Sequence, residues 1–465
     1  MHGKSVPGGP AASLRTNVAD GEFVPNELLM GTRRTGDFYD TYEDTPEVKV
    51  TLERSKAGIG VTVAWSSPEV PYAAWFMGES TFLFSQEPQP KSKPVPKRVL
   101  FSDSHGFVLL IRCWARGYHA NALGPGSGTL WARAAILDVR EDREFDRPHG
   151  LQTEISGLRD WLGVTSWDER PDRSNGTHSV ILSSLETSTI RAGEHSGMTL
   201  DFRSGWAVVP EEGRDRRVLL DLLRCTTRSV EPLEWEVHMQ LHRAIRDLLV
   251  VSRWRAESCV AVRALREDDP MTTLDGESHG DLWREVVVSD DERKSAPKDY
   301  SPHLVQFQEL GVKGIDRWVA LRDEFARALD PVITSIDLRN ATPHTRLAHT
   351  APGVEALGYL LMVRDGMDPK KAARINLKAR FERILADLGD CLPFDGTTWV
   401  VQTVETYNAL KHANRALADD VDLMNTWAEC VMVVRAWAML ELGLAVDVLK
   451  LRLLEDRQPR NFISR

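Results

Sequence analysis

The sequence predicts an α+β protein, with a β-rich N-terminal half followed by a C-terminal all-α helical bundle. Three observations predict it. From about Glu22 to Val209 the apolar residues come in short runs rich in β-branched and aromatic side chains, broken by turn residues. After about Pro210 the apolar spacing changes to the 3.6-residue period of amphipathic helices. The chain has 465 residues, enough for two or three domains and a sizeable core.

The expected organisation has four parts. Residues 1–21, rich in Gly, Pro, Ser and Ala, read as a disordered tail. Residues 22–210 read as the β-rich domain, on the runs VKVTLER, GIGVTVAW, STFLFS, RVLFS, FVLLIRCWA, SVILSSLETSTIRAG and MTLDFRSGWAVVP. Within it, QEPQPKSKPVPKR is a Pro/Lys-rich loop. Residues 211–310 read as a helical connector. It opens with the amphipathic stretch LEWEVHMQLHRAIRDLLVVSRWRAES and carries an acidic loop from Arg266 to Pro302. Residues 311–455 read as the helical domain. Asp368-Pro369 offers a helix start with proline at the first position, and Gly443 suits the stop of the last apolar helix.

Composition excludes several classes. A net charge of −10 and a pI near 5.8 exclude a globally basic nucleic-acid binder but leave room for a local basic site. The five cysteines are widely spaced and contain no CxxC, which argues against a disulfide framework or a thiolate zinc site and fits a reducing cytosol. The N-terminus lacks an apolar signal core, and no stretch approaches the roughly 20 apolar residues of a membrane span. A cytoplasmic protein without membrane contact is therefore expected, and the glycosylation-like NGT at Asn175 reads as chance.

Four stretches invite a chemical reading. ALGPGSGTL lacks the Gly-Lys-Ser/Thr ending of a phosphate loop and reads as a turn. His238 and His242 stand at i, i+4, a zinc-compatible spacing, but HMQLH lacks the glutamate of HExxH and a third ligand. They read as partly exposed helix histidines. RNATPH, Arg339 to His344, has formal Arg-x4-His spacing, but Pro343 disfavours helix before it, so this reads as an inter-helix junction. The fourth, ETYNALKHANR, is the strongest. On a continuous helix Asn408 and His412 share one face, Tyr407 and Lys411 share the adjacent one, and Arg415 extends the polar surface. Arg435 is one of the few charges on the long apolar helix that comes next. The bland alternative is a solvated helix edge.

The C-terminal helices resemble a HEPN domain, whose motif is Arg, a polar residue (often Asn), three further residues and His. Asn408 and His412 match that motif, and Tyr407 stands at the Arg position. ISGLRDWLG, after a run of strands and GEFVPNELLMGT, resembles the N-terminal domain of ApeA-like anti-phage HEPN proteins. TRLAHTAPGVEALGYLL resembles the helix with a central glutamate that precedes the motif. The resemblance spans roughly Glu22 to Leu444. It implies a metal-independent ribonuclease with no cofactor, an abortive-infection effector acting on RNA, tRNA among its targets. It also implies a homodimer with a composite site, and an N-terminal domain that answers to a phage-derived activator. Tyr407, Asn408, Lys411 and His412 are then the expected catalytic residues, and Lys411, Arg415 and Arg435 the expected RNA contacts.

Tyr407 leaves three readings open. Lys411 or Arg415 supplies the missing positive charge; or the domain is a catalytically inactive HEPN that binds RNA or dimerises as a scaffold; or the helix register differs or Tyr407 is an inactivating change. A more distant reading is a carbohydrate-binding β domain with a helical oligomerisation tail. Its tryptophans, Trp65, Trp75, Trp114 and Trp131, lie in apolar runs that read as core.

Overall fold

The structure, a computed structural model, describes residues 25–39, 47–67, 70–77, 94–120, 124–139, 141, 143–172, 179–185, 188–211, 216–289, 302–338, 340–456, 458 and 462. The expected tail, the STFLFS run, Asn175, Arg339 and most of the Pro/Lys loop lie outside these residues.

The strands are β1 (Arg33–Phe38), β2 (Val50–Ser55), β3 (Gly58–Trp65), β4 (Arg98–Asp103), β5 (Gly106–Ile111), β6 (Trp114–Ala120), β7 (Gly126–Ala132) and β8 (Ala134–Leu137). They continue with β9 (Gly150–Ile155), β10 (Trp167–Asp172), β11 (Ser179–Ser184), β12 (Thr189–His195), β13 (Met198–Glu211), β14 (Arg216–Ser229), β15 (Cys259–Leu265) and β16 (Trp283–Val288). All but β10 and β11, which pair with each other, join one sheet in the order β12-β13-β14-β9-β15-β16-β8-β5-β4-β1-β2-β3-β7-β6. The pairings are antiparallel.

Alternation explains the burial. In β3, Val61, Val63 and Trp65 are buried while Thr62 and Ala64 are exposed. They meet Leu52, Phe101, Val108, Leu110 and Leu130, so the first eight strands wrap one apolar core. From Gly126 onward the glycine-rich run is strand β7 and not a turn: a Cβ on Gly128 would run into the Phe76 ring, so glycine there admits a packed aromatic. Trp65 and Trp75 are core, as expected, whereas Trp114 on the edge strand is 42% exposed.

The helices are α1 (Ala74–Met77), α2 (Leu158–Leu162), α3 (Trp235–Arg253), α4 (Phe307–Glu324), α5 (Ala326–Thr334), α6 (Pro343–Arg364), α7 (Pro369–Ala372), α8 (Leu377–Leu388), α9 (Gly396–Lys411), α10 (Asp420–Glu441) and α11 (Val446–Glu455). Asp368 caps α7 by accepting from the Lys371 amide, with Pro369 at the first position, as the sequence indicates. The PKKAARINLKARFERILADLG run is two helices, because the Asn376 side chain accepts from the Ala379 amide and restarts the chain as α8. RNATPH is a junction: Thr342 caps α6 and Pro343 opens it. α10 is buried on every side from Cys430 to Met439 and forms the bundle's centre.

The connector departs most from expectation. Strands continue past Pro210 in β14, β15 and β16, and β15 lies between β9 and β16 in the main sheet. α3 stops at Arg253, where Trp254 takes a left-handed conformation, φ 47°. Its two faces join the halves of the molecule. Leu241, Ile245 and Leu248 share one core with Phe202 of the sheet and with Trp318, Leu357 and Trp437 of the bundle.

His238 and His242 are wholly buried, which corrects their reading as partly exposed. Pro148 O accepts from His238 Nε2 at 3.2 Å. Thr227 Oγ1 sits 2.8 Å from both His238 Nδ1 and His242 Nε2, and Thr153 Oγ1 lies 2.7 Å from His242 Nδ1. Neutral imidazoles satisfy this chain: each Nε2 donates and each Nδ1 accepts from a threonine hydroxyl. Burial pushes the two histidines down to about 4 and about 3. Among the described residues no three His, Cys, Asp or Glu side chains converge as for a metal.

Candidate active site

α9 begins at an Asp395 cap whose carboxylate accepts from the Thr397 and Thr398 amides. It ends one residue before His412. The helical reading of ETYNALKHANR holds only to Lys411: His412 has extended backbone, φ −123° and ψ 107°, and its amide donates to Asn408 O at 3.1 Å. Residues 412–417 are exposed, so no packing sustains a further helical turn. His412 is therefore the C-terminal cap of α9 and not part of its last turn. His412 opens the exposed segment that leads to α10, ahead of a turn in which the Arg415 amide donates to His412 O at 3.0 Å. Among the described residues, neither His412 nor Arg415 has a side-chain partner, and both face solvent. Asn408 is half-buried beside them.

Tyr407 and Lys411 do stack. The Lys411 ammonium lies 4.0 Å from the centre of the Tyr407 ring, a cation–π contact. Tyr407 is 6% exposed. Burial, and secondarily the nearby Glu355 carboxylate, push the phenol up to about 12. It is neutral near pH 7 and supplies no charge.

Glu355 is the centre of the group, and it is the central glutamate of α6 noted in the sequence. Its Oε1 accepts from Arg380 of α8 at 2.7 Å, and its Oε2 lies 3.7 Å from Lys411 Nζ. Arg380 also lies 5.8 Å from the Tyr359 ring. The geometry depends on Gly358, one turn along α6. A Cβ there would lie 2.5 Å from Arg380 O, so only glycine lets α8 approach closely enough for the guanidinium to meet Glu355. Sequence reasoning missed Arg380, because LKARFERIL reads as an ordinary amphipathic helix.

Arg435 is corrected as an RNA contact. It is 0% exposed. Its guanidinium donates to Val251 O at 2.7 Å and to Ser252 O at 3.3 Å, pairs with Asp456 at 2.6 Å, and meets the Gln458 side chain. It caps the last carbonyls of α3, where a cation is favoured, and ties the bundle to that helix. The side of α9 away from Lys411 holds a separate groove of about 350 Å³, lined by Glu405, Thr406, Leu417 and Asp422. Its two carboxylates make it a poor seat for a polyanion.

The group can do limited but definite chemistry. It offers one exposed imidazole, one ammonium held loosely at a carboxylate, and one amide, all within a single turn at the end of a helix.

Two family models match the chain. The one described as ApeA N-terminal domain 1 matches residues 35–318, more than half of the chain, and the one described as Apea-like HEPN matches residues 366–448, which include Tyr407 to His412. No curated protein matches, and no solved structure matches. Among the described residues no helix is long and apolar enough to cross a membrane.

Proposed function

The chain belongs to the ApeA-like HEPN family, and on that premise we propose that it is an anti-phage, abortive-infection effector whose C-terminal domain cuts RNA, tRNA among its targets, without a metal. The observation that carries this reading is the exposed His412 beside Lys411 in the family-matched helical domain. The reaction is attack of a ribose 2′-oxygen on the adjacent phosphorus. The bond to the 5′-oxygen breaks, one proton leaves the 2′-hydroxyl, and one reaches the departing oxygen. Imidazole is the side chain best suited to exchange a proton near neutrality. Two copies of His412, one from each protomer of a homodimer, would provide the base and the acid. Lys411 supplies the charge for the phosphorane-like oxygens, Asn408 orients a phosphate or the imidazole, and Arg415 holds the flanking backbone. The sheet region then acts as the sensor for a phage-derived cue, joined to the nuclease through α3.

One observation favours a second reading, an inactive HEPN that binds RNA or dimerises as a scaffold. The motif's arginine position holds Tyr407, a buried phenol that stays neutral near pH 7. The test is cleavage of total tRNA in EDTA by wild type, His412→Ala and Tyr407→Arg. Cutting by wild type that His412→Ala abolishes supports the nuclease. Cutting by Tyr407→Arg alone supports a disabled site. No cutting by any of the three, with and without extract of phage-infected cells, refutes the nuclease.

A further inference from the structure

The chain between α6 and the middle of α8 carries an unusual density of one sign. Pro369–Arg380, PKKAARINLKAR, holds Lys370, Lys371, Arg374, Lys378 and Arg380 and no carboxylate, in a protein of net charge −10. Lys370, Lys371 and Arg374 are exposed and form no ion pair among the described residues. Lys378 makes only a loose 3.7 Å pair with Glu382, both well exposed.

The nearby acids are committed elsewhere. Asp368 accepts from the Lys371 amide at 3.0 Å as the cap of α7, and Asp365 is bound by Arg383. Glu355 is held by Arg380. Asp368 keeps its negative charge at the cap, so one carboxylate stands against three unpaired cations and the strip stays net positive.

The strip is also fixed to the candidate site. Arg380 donates to Ala372 O at 3.3 Å and to Ala373 O at 3.0 Å, which pins α7 against α8. The same guanidinium grips Glu355, the carboxylate beside Lys411 and Tyr407. One side chain thus sets the register between the basic strip and the end of α9.

We infer that Lys370, Lys371 and Arg374 form the surface that takes the phosphate backbone of the RNA as it approaches Lys411 and His412. This rests on the RNA-cleaving reading above. The strip reads no bases. It neutralises phosphates and releases their counterions, so its contribution to affinity falls steeply with salt.

The experiment uses the full-length protein and a fluorescent RNA hairpin carrying 2′-O-methyl groups, which binds but cannot be cut. Anisotropy titrations over a series of KCl concentrations compare wild type, Lys56→Ala and the triple variant Lys370→Ala/Lys371→Ala/Arg374→Ala. The triple variant is expected to bind at least about tenfold more weakly, with the slope of log affinity against log salt reduced by about two to three. Lys56→Ala, which removes one exposed cation from the turn between β2 and β3, should bind as wild type does. Each of the three positions is exposed, so an unchanged circular dichroism melt verifies folding. If the triple variant keeps wild-type affinity and slope while wild type binds, this inference is overturned and the RNA reading stands. If wild type holds no hairpin at any salt, both are overturned, and binding of phosphatidylserine vesicles by the strip would then assign it to a membrane surface.

Discussion

Replacing Arg435 with methionine separates a buried strut from an RNA contact. Methionine keeps the apolar stem but removes the guanidinium, which is 0% exposed. The substitution leaves the Asp456 carboxylate, 4% exposed, without the cation 2.6 Å away, and two α3 carbonyls without their donors. Breaking one partner of a buried ion pair costs about 3–5 kcal/mol. Total stability of a domain is about 5–15 kcal/mol, so the loss is a large share of it. Urea unfolding followed by tryptophan fluorescence should show the midpoint fall accordingly. Adding Asp456→Asn removes the orphan charge and should recover part of the loss. In the folded fraction, the salt slope for RNA should equal that of wild type. The reasoning is refuted if Arg435→Met unfolds within about 1 kcal/mol of wild type, the centre of the range for point substitutions, while its salt slope drops by about one.

Three further outcomes rest on the same geometry. Lys411→Met should lower the cleavage rate about 100- to 1,000-fold with little change in stability, measured on tRNA under single turnover. Tyr407→Phe removes the hydroxyl near Glu355 but keeps the ring under Lys411, and should change urea unfolding by no more than about 1 kcal/mol and leave cleavage within a few-fold of wild type. Stability should fall with acid. Burial holds His238, His242 and His303 at about 4, about 3 and about 3, below the ordinary value near 6.5, so the unfolded chain takes up protons first. Their contribution is complete above about pH 6.5 and is lost toward pH 3–4, at up to about 1.4 kcal/mol per pH unit for each; a urea midpoint unchanged between pH 7 and about pH 5 would contradict it.

The sequence displays those features whose cause is local. Alternation in GIGVTVAW marks β3, and Asp368-Pro369 marks the start of α7, because pleat and cap are properties of a few neighbouring residues. β15 and β16 were hidden. CVAVRAL comes directly after an amphipathic helix, and its pairing partner β9 lies about a hundred residues earlier. The end of α9 has no glycine to announce it; the helix stops because residues 412–417 lie exposed, with no packing to hold another turn. Arg435 read as a surface cation because charge suggests exposure, and only the three-dimensional arrival of Asp456 and the end of α3 makes its burial tolerable. In the candidate site, Tyr407 and Lys411 were legible as an i, i+4 pair, whereas Arg380 reaches Glu355 from another helix through a close approach at Gly358.

That arrangement bears on what Tyr407→Arg would do. The position is 6% exposed, and its neighbour Glu355 already holds one guanidinium at 2.7 Å and faces one ammonium at 3.7 Å. A guanidinium placed there would lie about 4 Å beneath Lys411, the distance at which like charges repel by up to about 4 kcal/mol at an effective dielectric of 20. Tyrosine therefore suits the local field: it is neutral and adds no third cation to a single carboxylate. Tyr407→Arg should consequently destabilise the bundle, and Lys411→Met should relieve part of that cost. A double-mutant cycle in urea should give a coupling of about 1–3 kcal/mol between the two positions. Additive costs would mean that arginine at 407 finds its own route to solvent, and that the phenol is not there to spare Glu355 a third positive neighbour.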